Sequence, residues 1–290
     1  MVPLTSRREG HAPTRASRWL VFLSLFAAAF TVRALPARNV FDGERVVFYG
    51  NDAWYHMRRV GYALAHFPAQ LDFDPWLAWP GGARAIWTPV FDLFVTAAVA
   101  PAWALGGLPT AATAAAWIPP VLGGAWVLVL LHGVRVIEGE IVARAAALVL
   151  ALLVGHSWYS QVGFVDQHVA VALAATGLPG CAVAFAATPV PHVRASLGLS
   201  VAQAGALLLW PGAVLHVVLV EIGVLAHALR LPRDATVAVL RQRALGHALA
   251  CALVAPLCLA QQWESWSPYS ATVLSRFQPW LLACAALHAV

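Results

Sequence analysis

The stretch PTAATAAAWIPPVLGGAWVLVLLHGV, residues 109–134, contains no aspartate, glutamate or arginine. About twenty mostly apolar residues suffice to carry a helix across the hydrocarbon core of a bilayer, so this stretch reads as a membrane span. Outward from it, further apolar runs occupy roughly 18–35, 141–157, 168–187, 194–210, 212–230 and 244–260, and a last one begins near Trp280. Of the 290 residues, 61% are hydrophobic and 11% charged, with a mean hydropathy of +0.73. An ordinary soluble domain is about half apolar and a quarter charged, so a water-excluded core cannot absorb these side chains. The composition excludes a water-soluble enzyme, a disordered chain and a secreted disulfide scaffold. The expected fold is all-α, a polytopic transmembrane helical bundle of about 7–8 spans.

Charge orders the spans. The net charge is +5, and all eighteen basic residues are arginine. They lie in separate loops rather than one patch, which argues against nucleic acid as a partner. Arg7, Arg8, Arg15 and Arg18 precede the run Trp19 to Leu35, and Pro36-Ala37-Arg38 is a poor cleavage site; the N-terminus therefore reads as an uncleaved first span behind a cytoplasmic tail, 1–17. The run from Asp92 to Gly107 is apolar but short, and it suits an interfacial or re-entrant helix. Omitting it from the spans places the arginine loops around Arg135/Arg144, Arg194 and Arg230–Arg243 on the same side as the N-terminus, as the positive-inside rule requires. Three segments then share the opposite, extracytoplasmic face: a long first loop, 36–108, a short second loop, 158–167, and a later loop, 261–279. The chain is expected to be one integral domain of the cell (cytoplasmic or inner) membrane, its active face outside. Cys181, Cys251, Cys258 and Cys284 lie in apolar segments without CxxC spacing and read as small buried hydrophobes. The final run from Trp280 to Val290 is too short to cross a bilayer, so the chain is expected to be truncated.

Six of the thirteen acidic residues (Asp42, Glu44, Asp52, Asp72, Asp74 and Asp92) fall in the first loop. A loop that long is unusual unless it is functional. Asp52 opens a segment in which aromatics alternate with polar groups, and Asp166 and His168 stand at the entrance to the next span. Ionisable groups at a membrane are costly and are usually paired or functional. Two carboxylates and an imidazole on one face are plausible ligands for a divalent ion. Each also has a structural reading: Asp166 as a helix N-cap, Asp52 as a turn residue, His168 as a satisfied interfacial histidine. His56 and His66 read as structural, and Arg58 and Arg59 as solvated loop charges.

The segment Gly50-Asn51-Asp52-Ala53-Trp54-Tyr55-His56-Met57-Arg58-Arg59 resembles the first-loop motif of the oligosaccharyltransferase catalytic-subunit family, the prokaryotic single-subunit N-glycosylation enzymes. Phe73-Asp74-Pro75-Trp76, Trp79-Pro80-Gly81-Gly82 and Trp87-Thr88-Pro89-Val90-Phe91-Asp92 are similar to the rest of that loop, and Gly163 to His168 to the second-loop motif. Trp210-Pro211-Gly212 sits where the family often has an aromatic-glycine turn. The resemblance implies a GT-C glycosyltransferase that moves a glycan from a polyprenyl (pyro)phosphate to the asparagine of an acceptor polypeptide. It implies that Asp52, Asp166 and His168 hold Mg²⁺ or Mn²⁺, and that Asp52 also contacts the acceptor amide, making Asp52 and Asp166 the catalytic carboxylates.

The chain departs from the family in two places. If Thr272-Val273-Leu274-Ser275 matches the family's later-loop motif, Ser275 stands in place of its glutamate; Glu264 is a candidate substitute and Arg276 a candidate phosphate contact. Trp263-Glu264-Ser265-Trp266 is not the family's sequon-reading motif, which lies in the soluble domain. Two alternatives therefore stay open: another polyprenyl-phosphate-dependent GT-C glycosyltransferase, or a non-catalytic scaffold or lipid-carrier transporter. The topology makes a direct prediction: in a chain lacking its native cysteines, single cysteines at 52, 166 and 276 label with an impermeant maleimide from one common side of the membrane, and labelling from opposite sides contradicts the span order.

Overall fold

A computed structural model describes residues 15–43, 45–187, 192–261, 263 and 266–288. The first span, α1 (Arg15–Ala34), runs through the short helix α2 (Ala37–Val40) into an antiparallel two-residue hairpin, β1 (Phe41–Asp42) with β2 (Arg45–Val46). Helix α3 (Asn51–His66) follows, then a second small hairpin of β3 (Phe73–Asp74) and β4 (Ala83–Arg84). The remainder is helical: α4 (Pro89–Ala116), α5 (Ile118–Glu138), α6 (Glu140–Leu152), α7 (Val154–Trp158), α8 (His168–Ala186), α9 (Val193–Leu209), a 3-10 turn at Pro211–Ala213, α10 (Val214–Ala228), α11 (Arg233–Ala260) and α12 (Phe277–His288).

Five helical stretches among the described residues are long and apolar enough to cross a membrane: Ala16–Val40, Pro89–Glu138, His168–Ala186, Pro211–Ala228 and Arg233–Ala260. Val193–Leu209 and Phe277–Leu287 are apolar but shorter. Leu215, Leu219 and Ile222 project from α10 with more than half their surface uncovered, as a lipid-facing stripe requires. The molecule is an integral membrane protein with a helical bundle fold.

The ambiguous run after Asp92 resolves at two glycines. Gly106 and Gly107 leave helical geometry inside α4, and Gly107, at φ +68°, takes a left-handed conformation that L-residues with side chains rarely adopt. The chain doubles back there, so Phe91, Val95 and Val99 before the break share a core with Ala111, Ala115 and Ala116 after it. That core is completed by α3, whose inward stripe of Ala53, Met57, Val60 and Leu64 follows helical spacing. The 109–134 stretch accordingly divides at Trp117, and α5 begins with Pro119 and Pro120 in its first turn, where a missing N–H leaves no intrahelical bond unmade. A second core joins α1, α5 and α6; a third joins α8 to α12. The four cysteines form no disulfide with one another.

Inside the third core lies a polar group that hydropathy does not reveal. The Arg243 guanidinium sits 2.6 Å from Glu221 Oε1 and donates to Gln203 Oε1 at 2.9 Å, while His247 Nε2 lies 3.2 Å from Glu221 Oε2. The cluster fastens α9, α10 and α11 together. Removing one partner of such a pair leaves an uncompensated charge in a low-dielectric interior, at a cost of about 3–5 kcal/mol. Arg243→Ala is expected to lower the thermal unfolding midpoint in detergent markedly, and the paired change Arg243→Met with Glu221→Leu to recover most of the loss.

Candidate functional site

Helix α3 starts after Gly50 and carries Asp52 in its first turn, where a carboxylate faces the positive end of the helix dipole. One turn further, His56 points the same way and is fully buried. Its Nδ1 lies 2.6 Å from Oδ1 of Asp92, which enters from the first turn of α4. Asp92 is likewise fully buried, and its Oδ2 pairs with Arg59 NH1 at 2.6 Å. Arg59 also donates to the carbonyl of Trp87 at 3.3 Å, and the Phe91 ring meets the His56 ring edge-on at a centroid distance of 5.2 Å. Neither arginine is a free loop charge: Arg59 is buried in this ion pair, and Arg58 forks onto Asp74 at 2.7 and 3.1 Å, pinning the β3–β4 hairpin to α3. The Arg58 hydrogen bond holds the Asp74 carboxyl below the usual carboxylate range.

The second loop is held in place mainly through its backbone. Val162 N–H donates to the Arg33 carbonyl at the end of α1, Gly163 N–H to Ala116 at the end of α4, and the Gly163 carbonyl accepts from Tyr49. Gly163 has a φ of +81°, and a Cβ there would stand 2.9 Å from Val40 Cγ2. The Arg33 side chain, fully buried, adds bonds to Ser160 Oγ at 2.8 Å and to the carbonyls of Ala29 and Ala151, and it also contacts His156.

This bracing delivers Asp166 and His168. Asp166 is 3% exposed, and its Oδ1 accepts from His168 Nδ1 at 2.7 Å and, more weakly, from His168 N–H at 3.3 Å. The capping and pairing roles therefore coexist. Burial opposes ionisation of Asp166, but the His168 hydrogen bond and the nearby imidazoles outweigh it and hold the carboxyl below its ordinary value. His56 Nε2 stands 3.8 Å from Asp166 Oδ1, which brings α3, α4 and the second loop to one point. Asp52 is close enough for its charge to act on His168. Among the described residues, no group of three or more histidine, cysteine, aspartate or glutamate side chains stands arranged to hold a metal ion. A cavity of about 550 Å³ opens beside His168, lined by Trp126, Val171, Thr176, Trp210 and His216 among others.

The later-loop residues stand differently. Ser275 is buried as a cap at the start of α12, its Oγ donating to the Ser270 carbonyl at 2.7 Å and accepting from Phe277 N–H at 3.1 Å. Arg276 is exposed. Glu264 lies outside the described residues. Sequence reasoning passed over His56, Asp92 and Arg59. The usable signal was the four-residue spacing of Asp52 and His56, which places both on one face of a helix.

No family model matches the sequence. Over 140 residues, 47% of this chain, it is 34% identical to the dolichyl-monophosphooligosaccharide–protein glycotransferase AglB of Haloferax volcanii, and over 155 residues, 53% of the chain, 26% identical to dolichyl-phosphooligosaccharide-protein glycotransferase 1 of Archaeoglobus fulgidus. The chain resembles archaeal oligosaccharyltransferases. The matched segments span 13% and 25% of those relatives' lengths. The apo crystal structure of the Archaeoglobus fulgidus oligosaccharyltransferase superposes with a TM-score of 0.83 at 19% identity, covering 95% of this chain and 33% of that one. The same enzyme in complex with Zn and sulfate gives a TM-score of 0.81 at 20% identity, and in complex with an inhibitory peptide and a dolichol-phosphate 0.81 at 19%. The oligosaccharyltransferase membrane fold is thus reproduced over nearly the whole of this chain.

The second loop supplies the test of this geometry. Gly163→Val combines left-handed strain, of about 1–3 kcal/mol, with overlap onto Val40, and is expected to lower thermal stability and to increase hydrogen exchange at residues 160–168; an unchanged exchange pattern would show that the loop does not depend on this close approach.

Proposed function

We propose that the chain acts as the membrane part of an oligosaccharyltransferase-type glycosyltransferase, moving a glycan from a polyprenyl (pyro)phosphate carrier to the asparagine of an acceptor polypeptide on the extracytoplasmic face of the cytoplasmic membrane. The observation that supports this reading is the approach of Asp166 and its partner His168 to His56, one turn along α3 from Asp52, beside a largely apolar cavity that His168 lines. The archaeal relatives are named as glycotransferases acting from dolichyl-linked oligosaccharides, and a solved relative binds dolichol-phosphate.

In this reading Asp52, Asp166 and His168 hold a divalent ion, Mg²⁺ or Mn²⁺. Their donor chemistry fits one: two carboxylates and an imidazole are available, and His56 Nε2 is buried against them without a hydrogen-bond partner. The zinc and sulfate complex of the Archaeoglobus enzyme supports a divalent ion of this kind. When bound, the ion would supply charge neutralisation for the departing phosphate. The chain's own residues do the rest. Asp52, partly exposed at the start of α3, orients the acceptor amide. The Trp126, Val171 and Trp210 wall takes the apolar portion of the donor and keeps water from it. The exposed Arg276 is available to a phosphate.

A second reading, transfer from the same class of donor to a hydroxyl or lipid acceptor, is favoured by Ser275. It is a neutral, buried cap, and if Thr272-Val273-Leu274-Ser275 matches the later-loop motif it replaces that motif's carboxylate.

With lipid-linked oligosaccharide and a sequon peptide as substrates, Asp52→Ala and Asp166→Ala are each expected to lower transfer at least about 100-fold, the scale typical of losing one electrostatic contact to the transition state, and chelation of divalent ions to abolish it. Equal, chelator-insensitive rates in all three proteins would defeat the metal-dependent reading. Transfer to a hydroxyl acceptor but not to the peptide would select the second reading.

A further inference from the structure

We propose that His56 is a further ligand of the divalent ion, binding through Nε2, with Asp92 and Arg59 as its positioning residues; this rests on the proposed function, in which Asp52, Asp166 and His168 form the site.

The first observation is an unsatisfied atom. His56 is fully buried, yet its Nε2 has no hydrogen-bond partner. A buried polar atom left in that state destabilises by about 1–3 kcal/mol, so a histidine serving as core filler is poorly accounted for. The nearest charged oxygen, Asp166 Oδ1 at 3.8 Å, is too far to accept a hydrogen bond.

The second observation is the tautomer. The Asp92 carboxylate can only accept, so the 2.6 Å contact assigns a proton to His56 Nδ1, and Nε2 is the ring nitrogen that faces Asp166 across 3.8 Å. A carboxylate behind the far nitrogen of a histidine is the usual second-shell arrangement of a metal-binding imidazole. Arg59 NH1, 2.6 Å from the other Asp92 oxygen, balances that carboxylate's charge and fixes its orientation. No neutral acceptor, such as a backbone carbonyl, takes its place, although one would suffice to orient a core histidine.

The third observation is register. Asp52 and His56 are four residues apart on α3, and Asp166 and His168 two apart in the braced second loop. Each element therefore carries one carboxylate and one imidazole, and the two elements approach each other at His56 and Asp166, offering four candidate donors where the motif alone implies three.

The experiment uses the full chain in detergent with Mn²⁺ as the probe. Free Mn²⁺ is measured by electron paramagnetic resonance, and bound imidazole nitrogens are counted from their hyperfine couplings by pulsed methods. Wild type is expected to show two imidazole couplings. His56→Gln should show one and bind Mn²⁺ about 100-fold more weakly or worse. Asp92→Asn should keep both couplings while losing about 10- to 100-fold in affinity, the usual cost of a second-shell change. Melting curves without Mn²⁺ establish whether each variant folds; should His56→Gln fail to fold, the wild-type coupling count decides alone. One coupling in wild type, or couplings and affinity indifferent to His56→Gln, overturns this inference while leaving the Asp52–Asp166–His168 site intact. Absence of tight Mn²⁺ binding in wild type, or binding indifferent to Asp52→Asn, overturns the metal reading itself and this inference with it.

Discussion

A fully buried carboxylate, Asp92, ties the first loop together. It accepts from the His56 imidazole on one oxygen and is ion-paired with the Arg59 guanidinium through the other, with all three side chains essentially excluded from solvent. A charge in that position is tolerable only while both partners remain. The requirement fixes the register of α3 against α4 more tightly than the surrounding alanine and valine contacts can, since those would tolerate sliding. The orientation of α3 in turn sets where Asp52 emerges. The long segment between the first two spans is therefore a braced platform, with His56 and Arg59 of α3 and Asp92 of α4 locked at its centre and the β3–β4 hairpin clipped on by Arg58 and Asp74.

The second loop is built on a different principle. Its position comes from backbone bonds to α1, α4 and the segment before α3, and from the branched reach of Arg33. Such bonds do not depend on side-chain identity. They explain how a stretch as short as 158–167 can present Asp166 and His168 at a defined height without a regular element of its own there. The left-handed Gly163 is the point at which the loop passes Val40 closely enough to make those bonds.

The bundle was legible in the sequence because hydropathy is a long-range signal that needs no knowledge of contacts. Runs of about twenty apolar residues announce helices wherever they pack. The break at Gly106 and Gly107 was legible for a similar reason, as two glycines closing a short apolar run. Asp52, Asp166 and His168 were singled out through motif resemblance. The inner partners were not. Asp92 and Arg59 carry charge and so read as loop residues, and their burial becomes apparent only when α4 doubles back on α3. The Glu221–Arg243–His247 cluster escaped for the same reason. Single polar residues spread over three helices barely alter the mean hydropathy of any one, although together they form a connected group.

Arg33 belongs at once to the outer end of the first span and to the bracing of the second loop. A membrane helix meets a change in bilayer thickness by altering its tilt. Here tilt of α1 cannot occur in isolation, because the carbonyl and guanidinium of this residue grip the strand leading to Asp166. A change in bilayer thickness that tilted the first helix would therefore also act on the loop that carries Asp166.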